Sequence, residues 1–447
     1  MIRFHPLLRA LTSSVAFAAA STGLRATPDY TLTVSAGNVG KLVYPTMFGT
    51  NVVYNALNVS QWSTFLSTFD ALGMTTLRYP GGTVTEVDFD FNDSDGPAND
   101  AISLTMFLQA VAAHDITPLL VVPTKRFRSN YTTTGAQYVK DFVKAVNIDH
   151  GITGGEQFGT TQTVQLWELG NEYYTDNAGG SPLTPTLYGK IANKFGAAMQ
   201  TIDANLIPIV QFRRSDLTAA QTIANQLTAG AVGACLTHTY PGPTGVDAVS
   251  SQISDGADIF SLEPMVTEWN IGSDLVDPGL VLANYLPKLF RELVNGGVTI
   301  STQWPMMWQN NSVNTLLADS TGVLRPPGQV FQWLSQVAQN RKIVTTSSSN
   351  SAIDCVAFKD GAAGKLSILV LAGASSNNAQ VAITVNGFSG FSVSYAKRYS
   401  AAGGFGTEDS DTPAVPASVV PAQNGNVLTI TTNKLSKQEV IRIDLTQ

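Results

Sequence analysis

Three features of the sequence predict an α/β fold, a (β/α)8 TIM barrel with a C-terminal antiparallel β-sandwich. Between Met47 and Val337, short apolar strands alternate with amphipathic helical stretches through eight rounds. Parallel strands joined by helical crossovers are the regular way to read such a beat. The third strand, Pro118 to Val122, is an unbroken apolar run, as a parallel strand buried on both faces requires. From Arg341 the texture changes to short alternating strands between Gly, Ser and Asn turns, the spacing of an antiparallel sandwich. A doubly wound open sheet competes for the first part, but it usually carries a glycine-rich phosphate turn after its first strand, and none occurs.

Composition sets the class. A chain of 447 residues exceeds one ordinary core, so one large and one small domain are expected. With 44% hydrophobic and 13% charged residues it reads as a well-buried globular enzyme rather than a disordered chain. The net charge of −7 argues against nucleic acid as the main partner, because phosphate binding needs a basic surface. Arg3 and Arg9 precede an apolar run from Leu11 to Ala20, the pattern of a secretory signal and too short to cross a bilayer. Residues 1–26 are therefore expected to be a signal peptide, with cleavage after Ala20 or Ala26. The mature protein is expected to be secreted or periplasmic, with no membrane partner. Cys235 and Cys355 fall in different predicted domains, so two free buried thiols are expected. No His/Cys cluster has metal-ligand spacing, and no metal or other cofactor is expected.

Residues 27–45 hold two short strands, Tyr30 to Val34 and Lys41 to Tyr44, expected to pair into the sandwich because an isolated strand pair is marginal alone. Residues 46–340 form the predicted barrel. Met47 to Val53 is its first strand. The helix Ser60 to Leu72 follows, with Trp62, Phe65, Leu66, Phe69 and Leu72 on one face and Gly73 as its stop. Thr75 to Tyr79 is the second strand, followed by a helix carrying Leu104, Phe107, Leu108 and Val111. After the third strand comes a helix with Tyr138, Val139, Phe142, Val143 and Val146. The fourth strand runs from Val164 into Trp167-Glu168-Leu169-Gly170-Asn171-Glu172, with a helix from Tyr188 to Ile202. Ile207 to Phe212, Ala234 to Tyr240, Met265 to Ile271 and Val298 to Trp304 complete the strands. Helices are expected at Leu217 to Leu227, Leu280 to Leu293 and Val330 to Val337. Residues 341–447 are the sandwich, with few clustered polar or aromatic residues, so function is expected in the barrel.

Chemistry in such barrels sits at the carboxyl ends of the strands. The second strand ends in Arg78-Tyr79-Pro80-Gly81-Gly82, the fourth in Asn171-Glu172, and the sixth in His238-Thr239-Tyr240. The seventh ends in Glu268-Trp269-Asn270 and the eighth in Gln303-Trp304. Two carboxylates from two strand ends are the minimum equipment for splitting a glycosidic bond. These five stations resemble the retaining glycosidases of glycoside hydrolase clan A. Arg-Tyr-Pro-Gly-Gly, Leu-Gly-Asn-Glu and Glu-Trp-Asn are most similar to the α-L-arabinofuranosidases of family 51, with families 39 and 79 as cousins.

The resemblance implies a secreted, retaining glycoside hydrolase that cleaves poly- or oligosaccharides by double displacement. It makes Glu172 the acid/base and Glu268 the nucleophile, with Tyr240 and His238 orienting the nucleophile. Such a pair stands about 5 Å apart. On physical grounds the neighbouring carboxylate should disfavour ionisation of Glu172, and Arg78 should hold Glu268 ionised. Asn171 is placed to bond the hydroxyl beside the anomeric carbon, and Trp304 to floor the sugar ring, with Trp308 and Trp269 as supporting aromatics.

Other readings compete at several positions. Arg78 could instead neutralise Glu168, which shares the strand parity of Glu172 but lies deeper and reads as structural. The acidic run Glu86 to Gly96 suggests calcium, but it lacks the sixth-position glycine and closing glutamate of a calcium loop and reads as solvated. Lys125, Arg126 and Arg128, with Arg213 and Arg214, could recognise a substrate uronate or simply neutralise nearby acids. Family 51 usually places a glutamate after its first strand and an asparagine after Gly-Gly. Here Phe48-Gly49-Thr50-Asn51 has no acid, and Thr83-Val84 follows Gly82. A β-glycosidase acting on pyranosides, such as a β-glucuronidase or β-xylosidase, is therefore the alternative enzyme. A carbohydrate-binding barrel without turnover is the alternative from another class.

Overall fold

The computed structural model of the chain describes residues 27–92, 100–176, 181–272, 278–310, 316–376, 378–401, 412 and 416–447. The expected signal segment, and residues 93–96 of the acidic run, lie outside them. The first strand, β1 (Tyr30–Leu42), belongs to the smaller domain and replaces the two separate strands expected there. The barrel strands follow as β2 (Gly49–Asn51), β3 (Thr76–Tyr79), β4 (Thr117–Val122), β5 (Leu166–Leu169), β6 (Ile207–Gln211), β7 (Ala234–Thr239), β8 (Glu263–Trp269) and β9 (Ser301–Gln303). Each pairs in parallel with the next, and β9 returns to β2 to close the barrel.

The helices are α1 (Trp62–Ala71), α2 (Val84–Val87), α3 (Leu104–His114), α4 (Ala136–Lys144), α5 (Pro185–Gln200), α6 (Leu217–Ala224), α7 (Val249–Phe260), α8 (Leu280–Asn295) and α9 (Pro326–Ala338). Their starts follow ordinary capping chemistry. Ser103 accepts from the Met106 amide, Thr184 from Leu187 ahead of Pro185, and Asp216 from Ala219.

Strand alternation sorts side chains between two apolar layers. Outward-facing Leu120, Val122, Trp167, Leu169 and Val210 pack under the helices. Inward-facing Leu119, Val121, Leu166, Ile209, Leu236 and Met265 fill the barrel as a separate plug. Each such side chain contributes about 1.5–3 kcal/mol by leaving water. Glu168 lies two residues beyond Leu166 on the same inner face, so the plug is the floor on which polar groups rest.

Helix α7 was not anticipated, because its apolar signal is thin: Val249, Ile253, Gly256 and Ala257 are its buried residues. It packs by close approach instead. A Cβ on Gly256 would lie 2.1 Å from the Phe212 ring.

The smaller domain contains β1 and β10 (Lys342–Ser348), β11 (Ile353–Asp360), β12 (Lys365–Ala372), β13 (Ala379–Asn386), β14 (Ser392–Tyr399), β15 (Ala417–Ser418), β16 (Ala422–Asn424), β17 (Val427–Leu435) and β18 (Val440–Thr446). Their order is β15-β14-β18-β12-β11-β10-β1-β13-β17-β16. Pairing is antiparallel except where β1 runs parallel to β13. Alternate residues such as Cys355, Ala357, Ile368 and Ile441 form the domain's own core. Val356, Phe358, Leu369, Leu371 and Val440 face the other way and join the barrel core. Cys235 and Cys355 are buried and free. No helix among the described residues is long and apolar enough to cross a membrane.

Candidate active site

Arg78, on β3, is wholly buried and organises the carboxyl end of the barrel. Its Nε and Nη2 donate to the two oxygens of Glu168 at 2.6 and 2.7 Å. Nη1 donates to Glu268 Oε1 (2.7 Å) and Asn51 Oδ1 (2.8 Å), and Nη2 also reaches Asn171 Oδ1 (2.8 Å). All five guanidinium protons have acceptors, an arrangement no lysine could reproduce. Arg78 thus bonds both of the carboxylates that the sequence offered as its partners, Glu168 and Glu268 together. Burial opposes its charge, but Glu168 and Glu268 outweigh burial and raise its pKa.

Glu268, at the end of β8, accepts from Tyr240 Oη at 2.8 Å through its other oxygen. His238 lies among three carboxylates: Nδ1 is 3.2 Å from Glu172 and 3.4 Å from Glu268, and Nε2 is 3.6 Å from Glu168. Burial lowers its proton affinity, yet Glu268, Glu168 and Glu172 together raise its pKa to about 9. His238 is therefore an imidazolium at neutral pH. One oxygen each of Glu172 and Glu268 and one ring nitrogen of His238 lie within 4.8 Å of one another.

Proton affinities run opposite to the sequence expectation. Burial raises Glu172, but the His238 hydrogen bond and charge outweigh it and leave Glu172 below its ordinary value. Glu268 is more deeply enclosed, and burial there exceeds the pull of His238 and Arg78, so its pKa is raised. Glu168 is lowered, because Arg78 and His238 outweigh its burial. The imidazolium was the missing element, since nothing in the spacing of His238 shows that it would sit between both carboxylates.

Glu172, His238 and Glu268 are also the group among the described residues with the donor set for a cation. Its chemistry suits one poorly. Both oxygens of Glu268 are already taken by Arg78 and Tyr240, and His238 holds a proton where a metal would need a lone pair.

The loop after β5 has an unusual backbone. Gly170 has φ +81°, and a Cβ there would lie 2.2 Å from Thr124 Oγ1, so only glycine fits. Glu172 itself has φ +45°, a left-handed conformation costly for a side chain with Cβ and typical of functional sites. Trp304 is half-buried and lies over Gly82, where a Cβ would be 2.8 Å from its ring. Trp308 stands edge-on to it, with centroids 6.1 Å apart. Trp269 does not line the site; it is fully buried between Phe290 and Phe331 in the core.

Two sequence readings change. Glu86 is not a solvated loop acid but is 2% exposed on α2, accepting from the backbone amides of Thr124, Lys125 and Asn171. Burial raises its pKa, and those amides offset the rise only in part. The basic cluster is engaged by the protein itself. Lys125 Nζ bonds Thr175 O and Oγ1 at 3.0 and 3.2 Å, Arg126 caps Phe89 O, and Arg128 caps Ser181 O. Arg213 lies over the Tyr174 ring at 5.4 Å, and Arg214 bonds Gln252. Tyr174 was not singled out from sequence. It packs edge-on against Tyr173 and under Arg213, and burial and then the charges of Glu172 and Glu268 raise its pKa.

No protein-family model matches the sequence, and no curated protein matches it. Solved structures do. A GH51 arabinofuranosidase from Xanthomonas axonopodis pv. citri superposes with TM-score 0.73 at 12% identity, covering 94% of this chain and 100% of that one. A family 51 α-L-arabinofuranosidase from Bifidobacterium longum gives 0.71 at 15% identity, covering 94% and 99%. A monomeric β-xylosidase from Caulobacter crescentus CB15 gives 0.63 at 13% identity, covering 93% and 99%. The chain thus has the barrel-and-sandwich fold of family 51 and other clan A glycosidases, as the sequence motifs implied.

Proposed function

We propose that the chain is a retaining glycoside hydrolase in which Glu172 is the acid/base and Glu268 the nucleophile. The observation that carries this reading is the approach of their oxygens to within 4.8 Å, on two strand ends at the open face of the barrel. Retaining chemistry needs carboxyl groups about 5 Å apart, whereas inversion needs room for a water between them.

Glu268 is held by Arg78 and Tyr240, which fix its oxygens for attack on the anomeric carbon. As the glycosidic bond breaks, Glu172 protonates the leaving oxygen, and it later deprotonates the water that releases the sugar from Glu268. In the resting site that proton resides on His238, 3.2 Å from Glu172 Oε1. A bound sugar displaces water from Glu172, which favours its neutral form and draws the proton across that hydrogen bond. The amide of Asn171 is orientated by Arg78, which occupies its oxygen and leaves its NH2 to donate to the adjacent sugar hydroxyl. Trp304 supplies a flat apolar surface for the ring.

α-L-Arabinofuranosides are the first substrates to try, because the family 51 structures share the fold and the strand-end motifs of this chain resemble that family. Asn51 favours a second reading, a β-glycosidase acting on pyranosides. Its side chain is occupied by Arg78, Thr267, Thr302 and Gln303, and the strand end Gly49-Thr50-Asn51-Val52-Val53 carries no carboxylate of its own to grip a furanose. The amino-terminal pattern of residues 1–26 supports export.

A panel of aryl arabinofuranosides, xylosides, galactosides and glucuronides tests the proposal and sorts the sugars. Turnover of at least one that vanishes in Glu268→Ala, and that falls in Glu172→Ala more steeply the poorer the leaving group, supports it. Oligosaccharide binding without turnover would establish a binding barrel instead.

A further inference from the structure

We propose that Glu86 and Lys125 are positioning residues that clamp the loop carrying Glu172 and so set where the acid/base carboxyl stands. This rests on the acid/base reading of Glu172 given above. Each end of the strained residue is tied to one of them. Upstream, the Asn171 amide donates to Glu86 Oε1 at 2.9 Å. Downstream, the Thr175 amide and hydroxyl donate to Glu172 O at 3.0 and 2.9 Å, and Thr175 is in turn held by Lys125 Nζ. The two ties meet, because Glu86 Oε2 accepts from the amides of Thr124 and Lys125, both at 2.8 Å. A closed ring of hydrogen bonds thus runs from Asn171 through Glu86, Lys125 and Thr175 back to Glu172.

Neither side chain is used by the chemistry itself. Both are nearly inaccessible, at 2% and 3% exposure. The need for a clamp is visible in the backbone. Glu172 adopts φ +45°, which a free loop would abandon, and surrounding hydrogen bonds must over-determine it. Gly170 completes the device, since its missing Cβ lets Thr124 Oγ1 reach Glu86 Oε1 at 3.0 Å.

Glu86→Gln cuts one tie selectively. The position that accepts two backbone amides must take the amide oxygen, so the NH2 faces Asn171 N–H. Thr124 Oγ1 can rotate to accept from it, whereas Asn171 loses its partner. Lys125→Met cuts the other tie and also removes one of the positive charges that lower Glu172. In both variants kcat/KM on a glycoside with a poor leaving group should fall on the order of 100-fold through misplacement of the acid. On a dinitrophenyl glycoside, which needs no protonation to depart, the fall should be much smaller. In Glu86→Gln, hydrogen exchange at the Asn171 amide should also accelerate beyond that of other loop amides. Equal losses on both leaving groups, or unchanged Asn171 exchange, would overturn the clamp. The exchange measurement decides it even for a wild-type protein that turns over no glycoside, a result that would count against the glycosidase reading alone.

Discussion

Replacing His238 with glutamine removes the charge on which the resting site depends. The imidazole stands 3.2, 3.4 and 3.6 Å from Glu172, Glu268 and Glu168. Those carboxylates overcome its burial and carry its pKa from 6.5 to about 9. A pKa raised on folding means that the folded state binds the proton more tightly than the unfolded chain. The stabilisation is therefore complete below about pH 6.5 and is lost as pH rises through about 9. That gap corresponds to on the order of 3 kcal/mol, or roughly 6 °C of melting temperature at about 2 °C per kcal/mol. Parallel melts of wild type and His238→Gln from about pH 6 to about pH 10 read it directly. The wild type should lose several degrees relative to the variant across that window. Its kcat/KM should fall on an alkaline limb near pH 9 that the variant lacks. Superimposable pH dependences for the two proteins would refute a charged His238.

On the acid side, burial raises Glu268, so activity should fall at a pH above the ordinary carboxylate range as Glu268 gains a proton, read from the acid limb of kcat/KM. Arg78→Lys cannot serve five acceptors and leaves buried Glu168 underpaired; a loss of about 3–5 kcal/mol is expected in denaturant unfolding, with activity abolished. Gly170→Ala must place a Cβ 2.2 Å from Thr124 Oγ1 at φ +81°, so it should lower the melting temperature and abolish turnover together. Trp304→Ala should raise KM more than it lowers kcat, by about 0.5–1.5 kcal/mol of binding, in steady-state kinetics.

The barrel was legible because its signals are local. Val121 and Val122 announce a doubly buried strand, and Trp62, Phe65 and Phe69 a helix face. Strand ends then placed Arg78, Glu172, His238, Tyr240 and Glu268 on one face without any contact being known. What stayed hidden depends on contacts between distant segments. Glu86 looks like one acid in a solvated run, and only the fold shows three amides, two of them after β4 and one after β5, converging on it. Lys125 reads as a cation for a substrate uronate or for nearby acids until Thr175 is seen to occupy its ammonium group. Helix α7 escaped because it packs through Gly256 against Phe212 rather than through a long apolar stripe. Trp269 shares a motif with Glu268 yet points the other way, as alternation along β8 requires.

The central claim, that Glu268 attacks the sugar opposite Glu172, is tested most directly by trapping the intermediate. Incubation with a 2-deoxy-2-fluoro glycoside bearing a dinitrophenyl leaving group slows release of the sugar and lets the covalent adduct accumulate. Peptide mapping by mass spectrometry should find one sugar attached to the peptide containing Glu268 and none on Glu172. Turnover of such a substrate with no adduct on Glu268, or an adduct on another carboxylate, would contradict the assignment.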